Sequence, residues 1–169
     1  MGFTDWIINL SQSKFVRRFQ YEPHIIKSVE FVNPKPDENI LVVYNEVDYF
    51  QSLAMQYVKE EHYFAMDVTE KCEIDKTFHS VVLFFSIYDV DKEYLNCISD
   101  KMSKRASIYV ISYLNNSKLF EVALKMSDKK IFNSLEKEKE LFDNKKFELI
   151  ESKDFKKEYM KISKYKIKY

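Results

Sequence analysis

Polar side chains that can bind ligands follow three apolar runs of this 169-residue chain. In chain order they are Tyr44, Asn45, Glu46, Asp48, Asp67, Ser86, Tyr88 and Asp89. If the three runs are parallel strands, these side chains lie at the carboxyl edge of one sheet, the crevice where open α/β sheets bind ligands. At that edge Glu46 and Asp48 can accept a cation or an amine. Asp48 also suits a simpler role, because Gln51 three residues later completes a helix-capping pattern.

Other kinds of site have little support in the sequence. The three histidines, His24, His62 and His79, have no partner at metal-ligand spacing, so we expect no metal. Cys72 and Cys97 form no CxxC motif, and we expect free thiols in a reducing cytosol. No GxSxG motif marks a nucleophile, so the catalytic residues remain unassigned.

Strand and helix patterns alternate along the chain. Continuous apolar runs or alternation predict strands at 40–44, 62–68, 80–87, 107–114, 147–151 and 159–168. Helical spacing and caps predict helices near 4–19, from Pro23 to 32, and at 50–58, 91–102, 118–127 and 131–142. Phe50, Leu53, Ala54, Tyr57 and Val58 are expected to form the buried face of the third helix.

This order of elements predicts an α/β fold with a mostly parallel sheet, because parallel strands need crossover connections that are usually helices. The last two strands lie so close in sequence that we expect an antiparallel C-terminal hairpin. We predict a single domain over 1–169, with residues 1–32 as a helical extension packed on the sheet. The N-terminus lacks the features of a signal peptide, and no run is apolar enough to span a membrane, so we predict a cytoplasmic location.

The order of elements resembles the class I S-adenosylmethionine-dependent methyltransferases, a Rossmann-like three-layer family. Residues 38–43 are similar to its first strand, and residues 65–67 to the end of its second. Residues 78–86 are similar to its fourth strand, 102–112 to the turn into its fifth, and 146–150 to its sixth. The resemblance implies that Asp67 is the carboxylate that accepts the ribose hydroxyls. Asp67 and Glu70 also fit a helix cap, which is the structural alternative.

The resemblance implies two sets of site residues. The cofactor set is Tyr44, Asn45, Glu46, Asp48, Asp67 and Ser86, and the substrate set is Tyr88 and Asp89. The chain departs from the family where the glycine-rich loop belongs, because its one glycine is Gly2. Tyr44, Glu46 and Asp48 stand at the three glycine positions, and the carboxylates there would repel the carboxylate of S-adenosylmethionine. Only ten residues separate Asp67 from Phe78, so we expect the family's third strand to be absent.

Three functions follow from these observations. The first is a degenerate methyltransferase-like domain that binds its cofactor weakly or not at all and acts through contact with a protein partner or a second copy. The second is an active methyltransferase that binds S-adenosylmethionine through an atypical loop. The third is a nucleic-acid-binding module, because residues 153–169 carry seven lysines interleaved with aromatic residues. An edge hairpin explains that same pattern without nucleic acid.

Charge is uneven along the chain although the net charge is zero. Residues 30–100 carry five basic and fifteen acidic groups, whereas residues 101–169 carry eighteen basic and ten acidic groups. This asymmetry favours self-complementary association or a basic face for an anionic partner. A well-solvated surface rich in lysine and glutamate is the alternative explanation.

Overall fold

The computed structural model describes residues 14–114, 134–157 and 160–169. Within them the helices are α1 (Lys14–Val32), α2 (Gln51–Ala54), α3 (Lys92–Asp100) and α4 (Ser134–Leu141). The strands are β1 (Ile40–Tyr44), β2 (Tyr63–Asp67), β3 (Phe78–Phe84), β4 (Met102–Tyr113), β5 (Phe147–Phe155) and β6 (Met160–Ile167). The helices predicted at 4–19 and 118–127 lie wholly or partly outside the described residues.

The six strands form one sheet in the order β2-β1-β3-β4-β6-β5. Strands β1 to β4 are mutually parallel, and β6 runs antiparallel to both β4 and β5. The predicted α/β fold with a C-terminal hairpin is therefore confirmed. Residues 68–77, which connect β2 to β3, contain neither strand nor helix. The strand that is third in the methyltransferase family is therefore absent here, as expected.

Each face of the sheet is covered by its own apolar cluster. On one face, α1 and α2 pack over the sheet through residues that include Val29, Phe50 and Ile162. On the other face, α3 and the end of α4 pack over residues that include Leu41 and Val110. Burial on both faces explains why the central strands are continuous apolar runs and do not alternate.

Two helix predictions were wrong. Pro23 does not begin a second helix but lies inside α1. The buried stripe of α1, which includes Ile25, Ser28 and Val32, continues past the proline, and its packing on the sheet outweighs the lost backbone hydrogen bond. Helix α2 ends at Ala54, and the chain continues as a turn to Val58.

The expectation of free thiols was also wrong. Cys72 and Cys97 form a disulfide that joins the β2–β3 connection to α3. The cytoplasmic location stays a prediction. In the part of the chain that the structure describes, no helix combines the length and the apolar character needed to cross a membrane. The single-domain boundaries likewise stay a prediction.

Candidate functional site

Seven of the eight candidate residues meet at the carboxyl edge of the parallel strands. Tyr44 ends β1 directly beside Asp67, which ends β2. The turn 86–89 follows β3 and is hydrogen-bonded to both neighbouring strands. The Ser86 hydroxyl donates to the Val43 carbonyl oxygen at 2.8 Å, and the Asn45 side-chain amide donates to the Asp89 carboxylate at 2.7 Å.

The same turn is joined to β4 on its other side. The Tyr113 backbone N–H donates to the Tyr88 hydroxyl at 3.2 Å. The rings of Phe85 and Tyr113 lie 4.5 Å apart, and the buried ring of His24 lies 5.5 Å from that of Phe85. Sequence reasoning missed this aromatic group, because nothing in the local pattern indicates that His24 on α1 reaches the end of β3.

Asp67 accepts three hydrogen bonds from its own chain. Its Oδ1 accepts from the Thr69 N–H at 2.9 Å and from the Thr69 hydroxyl at 2.7 Å, and its Oδ2 accepts from the Glu46 N–H at 3.0 Å. These bonds, those from Thr69 foremost, lower the pKa of the Asp67 carboxyl. Asp67 thus caps a turn, because its side chain accepts from Thr69 and its carbonyl oxygen accepts from the Glu70 N–H, and no helix follows over residues 68–77. The Asp-x-Thr spacing carried a signal for this turn that sequence reasoning did not use.

The hydrogen-bond partners of Asp48 lie outside the set of candidate residues. Its Oδ1 accepts from the Gln51 N–H at 3.1 Å, which is the capping bond expected at the start of α2. Its Oδ2 accepts from the Tyr63 hydroxyl at 2.8 Å, a partner that the sequence did not reveal. Burial raises the pKa of the Asp48 carboxyl, and the same burial, with Asp48 beside it, raises the pKa of the Tyr63 hydroxyl.

Two residues at this edge have a left-handed backbone. Glu46 follows β1 with φ of 63°, and Phe85 follows β3 with φ of 51°. Left-handed geometry places Cβ close to the following carbonyl and favours glycine. Such strained positions concentrate at functional sites. The loop after β1 therefore keeps a conformation that suits glycine at a position where the chain has glutamate.

The electrostatics of the edge are acidic. Burial raises the pKa of the Tyr44 hydroxyl, and Asp67, Asp48 and Glu70 raise it further. Among the described residues, no group of three histidine, cysteine or acidic side chains has a metal-binding arrangement. The edge therefore combines hydrogen-bonded carboxylates with aromatic rings.

This fold is found in solved methyltransferase structures. The chain superimposes on the mitomycin 7-O-methyltransferase MmcR with a TM-score of 0.58 and 10% identity, covering 96% of this chain and 60% of that one. It superimposes on the glycopeptide N-methyltransferase MtfA, complexed with sinefungin, with a TM-score of 0.54 and 8% identity, covering 86% of each. It superimposes on the PH0226 protein from Pyrococcus horikoshii with a TM-score of 0.56 and 13% identity, covering 94% of this chain and 92% of that one.

These similarities define a methyltransferase-like α/β domain, and at such low identity they show the fold alone. The chain spans 53% of the pyocyanin biosynthetic protein PhzM and 60% of MmcR, which is less than two thirds of either length. No family model matches the chain, and no curated protein matches it by sequence. The roles of the eight candidate residues in cofactor or substrate binding stay predictions.

Proposed function

We propose that this chain is a methyltransferase-like domain that has lost its cofactor and acts by contact with another protein. The observation that carries the proposal is the hydrogen bonding of Asp67. The resemblance to methyltransferases implies that this carboxylate accepts the ribose hydroxyls of the cofactor. Here both of its oxygens already accept hydrogen bonds from Thr69 and Glu46. A carboxylate offers about four acceptor positions and three are in use, so two ribose hydroxyls could bind only by displacing a contact that holds the loop together.

The loop after β1 also fits S-adenosylmethionine poorly. Glu46, the residue of this loop with a left-handed backbone, has a Cβ and a carboxylate. A backbone that closely approaches a ligand usually has glycine at such a position, because glycine has no side chain. Tyr44 places a ring at the first of the three positions where the family has glycine. Asp48, at the third, already accepts hydrogen bonds from the Tyr63 hydroxyl and the Gln51 N–H. We therefore derive no methyl-transfer step for this chain.

The partner that we propose is a second copy of the chain, bound along β5. This strand ends the sheet, and its apolar side chains Leu149 and Ile150 are 50% and 45% exposed. If two copies pair antiparallel about Ser152, Glu151 lies opposite Lys153 of the partner subunit, and the two ion pairs are related by symmetry. Opposite charges across paired strands stabilise the pairing.

The first test is calorimetric titration with S-adenosylmethionine and S-adenosylhomocysteine. We expect no binding by the native chain, and gain of binding in the variant Tyr44→Gly, Glu46→Gly. The control is Tyr57→Gly, Glu60→Gly, which removes the same side chains at exposed positions outside the loop. All variants are first checked for a native unfolding transition.

Micromolar binding by the native chain would overturn the proposal and favour an active methyltransferase. One observation supports that second candidate, since Asp67 lies beside Tyr44 at the ligand-binding edge and the backbone at Glu46 keeps the geometry of a glycine loop. A folded loop variant that gains no affinity would refute the explanation that Tyr44 and Glu46 block the site.

A further inference from the structure

The fold separates the lysines that lie close together at the C-terminal end of the sequence. Lys161 is half-buried and forms an ion pair with the buried Glu138 at 3.2 Å, and Lys164 lies 5.5 Å above the Tyr109 ring. The remaining five divide between the two ends of the β5–β6 hairpin. Lys153, Lys156 and Lys157 lie toward the turn end, and Lys166 and Lys168 at the other end. The sequence alone treats all seven as one basic segment.

An irregularity in β4 brings two further cations to the end that holds Lys166 and Lys168. Phe78 pairs with Met102 and Ser80 pairs with Ser107, so β4 has three more residues than β3 over this stretch. The extra length is a bulge that exposes Lys104 and Arg105. Bulges of this kind redirect side chains and are specific features of a fold.

Direct contacts hold the bulge and the end of β6 together. The Tyr169 hydroxyl donates to the Ser103 carbonyl oxygen at 3.5 Å, next to the bulged cations. The Lys168 N–H donates to the Lys146 carbonyl oxygen at 2.9 Å, which adds the turn before β5 to the same end of the sheet. We refer to Lys104, Arg105, Lys166 and Lys168 as the basic end patch.

The basic end patch keeps its charge. Within residues 14–114, 134–157 and 160–169, none of its four cations lies at ion-pair distance from a carboxylate. Glu148 lies opposite Lys166 in the strand register and is the acidic residue that faces the patch from β5. The patch lies at the end of the sheet opposite to Asp67 and Glu46, so a polyanion bound there avoids the acidic edge.

We propose that the basic end patch binds the phosphate backbone of a single-stranded nucleic acid. The four exposed cations supply charges for phosphate contacts, and Tyr169, which is 79% exposed, offers a ring on which a base can stack. This site lies away from the candidate cofactor edge, and it is independent of whether S-adenosylmethionine binds.

The test uses a fluorescently labelled oligothymidylate of about 16 nucleotides, the upper end of the usual site size. Fluorescence anisotropy is measured over a series of salt concentrations. Each phosphate contact to a single strand contributes about −0.7 to the slope of log K against log salt, so four contacts predict a slope of about −3.

Two triple variants distinguish binding at the basic end patch from attraction that depends only on the net charge of the protein. Lys104→Gln, Arg105→Gln, Lys166→Gln removes three charges from the patch, and the slope should fall to about −1. Lys92→Gln, Lys156→Gln, Lys157→Gln removes three exposed charges that lie outside the basic end patch and should leave the slope unchanged. Equal losses in both variants would overturn the proposal, because binding would then follow net charge alone.

The ring of Tyr169 is tested separately. Tyr169→Ala should weaken binding about fivefold or more with no change of salt slope, because stacking involves no counterion release. Tyr169→Phe keeps the ring and loses only the hydroxyl contact to Ser103, so it should lose less affinity than Tyr169→Ala. Absence of binding by the native chain at low salt would refute the proposal. Tighter binding of a polyglutamate of matched charge would refute it as well, since that result assigns the patch to an acidic protein.

Discussion

The left-handed backbone of Glu46 makes a quantitative prediction about the loop after β1. Replacing Glu46 by glycine and by alanine compares two residues that both lack the carboxylate and differ only in Cβ. The bond from the residue-46 N–H to Asp67 is a backbone contact and is available in both variants. The comparison therefore isolates the conformational cost at φ of 63°.

Two opposing effects set the magnitude. A residue with Cβ costs about 1–2 kcal/mol in the left-handed region. Glycine in turn loses about 0.5–1 kcal/mol more backbone entropy on folding than alanine does. The glycine variant should therefore be more stable than the alanine variant by about 0.5–1 kcal/mol. For a domain of this size that difference raises the melting temperature by about 2 °C.

The assay is urea unfolding of both variants, compared at equal m-values. The control is the same pair of substitutions at Val47, which is exposed and has no positive φ. At position 47 the glycine variant should be less stable than the alanine variant. The difference in unfolding free energy between the two variants therefore has opposite signs at positions 46 and 47. The same sign at both positions would refute the argument that this loop keeps a glycine-like backbone.

Two further predictions concern other parts of the sheet. Lys161→Met leaves Glu138, which is 2% exposed, without its cation and should cost about 3 kcal/mol of unfolding free energy. Adding Glu138→Gln should recover most of that loss in chemical unfolding, and equal stability of the single and double variants would show that the pair is not coupled. Leu149→Lys should abolish self-association in sedimentation experiments if β5 joins two copies, whereas a native chain that sediments as a monomer would contradict that pairing.

Much of the fold could be predicted because its central strands have strong local patterns. The run 40–44 is apolar throughout because both faces of β1 are covered. The ten residues between Asp67 and Phe78 are too few for a helix and a strand, and this count, compared with the methyltransferase family, predicted that the family's third strand is absent. Errors arose where distant packing decides the outcome, as at Pro23 in α1.

The candidate edge could be predicted more readily than its contacts. Topology places the residues that follow parallel strands at one end of the sheet, and seven of the eight candidates lie there. The partners of Asp48 and Asp67 depend on side-chain orientation, which periodicity does not determine. Tyr63 and Thr69 were therefore missed, as was the link between Cys72 and Cys97.

The disulfide makes the stability of this domain depend on its chemical environment. The two cysteines are 25 residues apart, and closing a loop of that length destabilises the unfolded chain by about 3.5 kcal/mol. Native domains are stable by only about 5–15 kcal/mol, so this one bond is a considerable share of the total. The lifetime of the folded domain is thus tied to the thiol–disulfide balance of the compartment in which the protein resides.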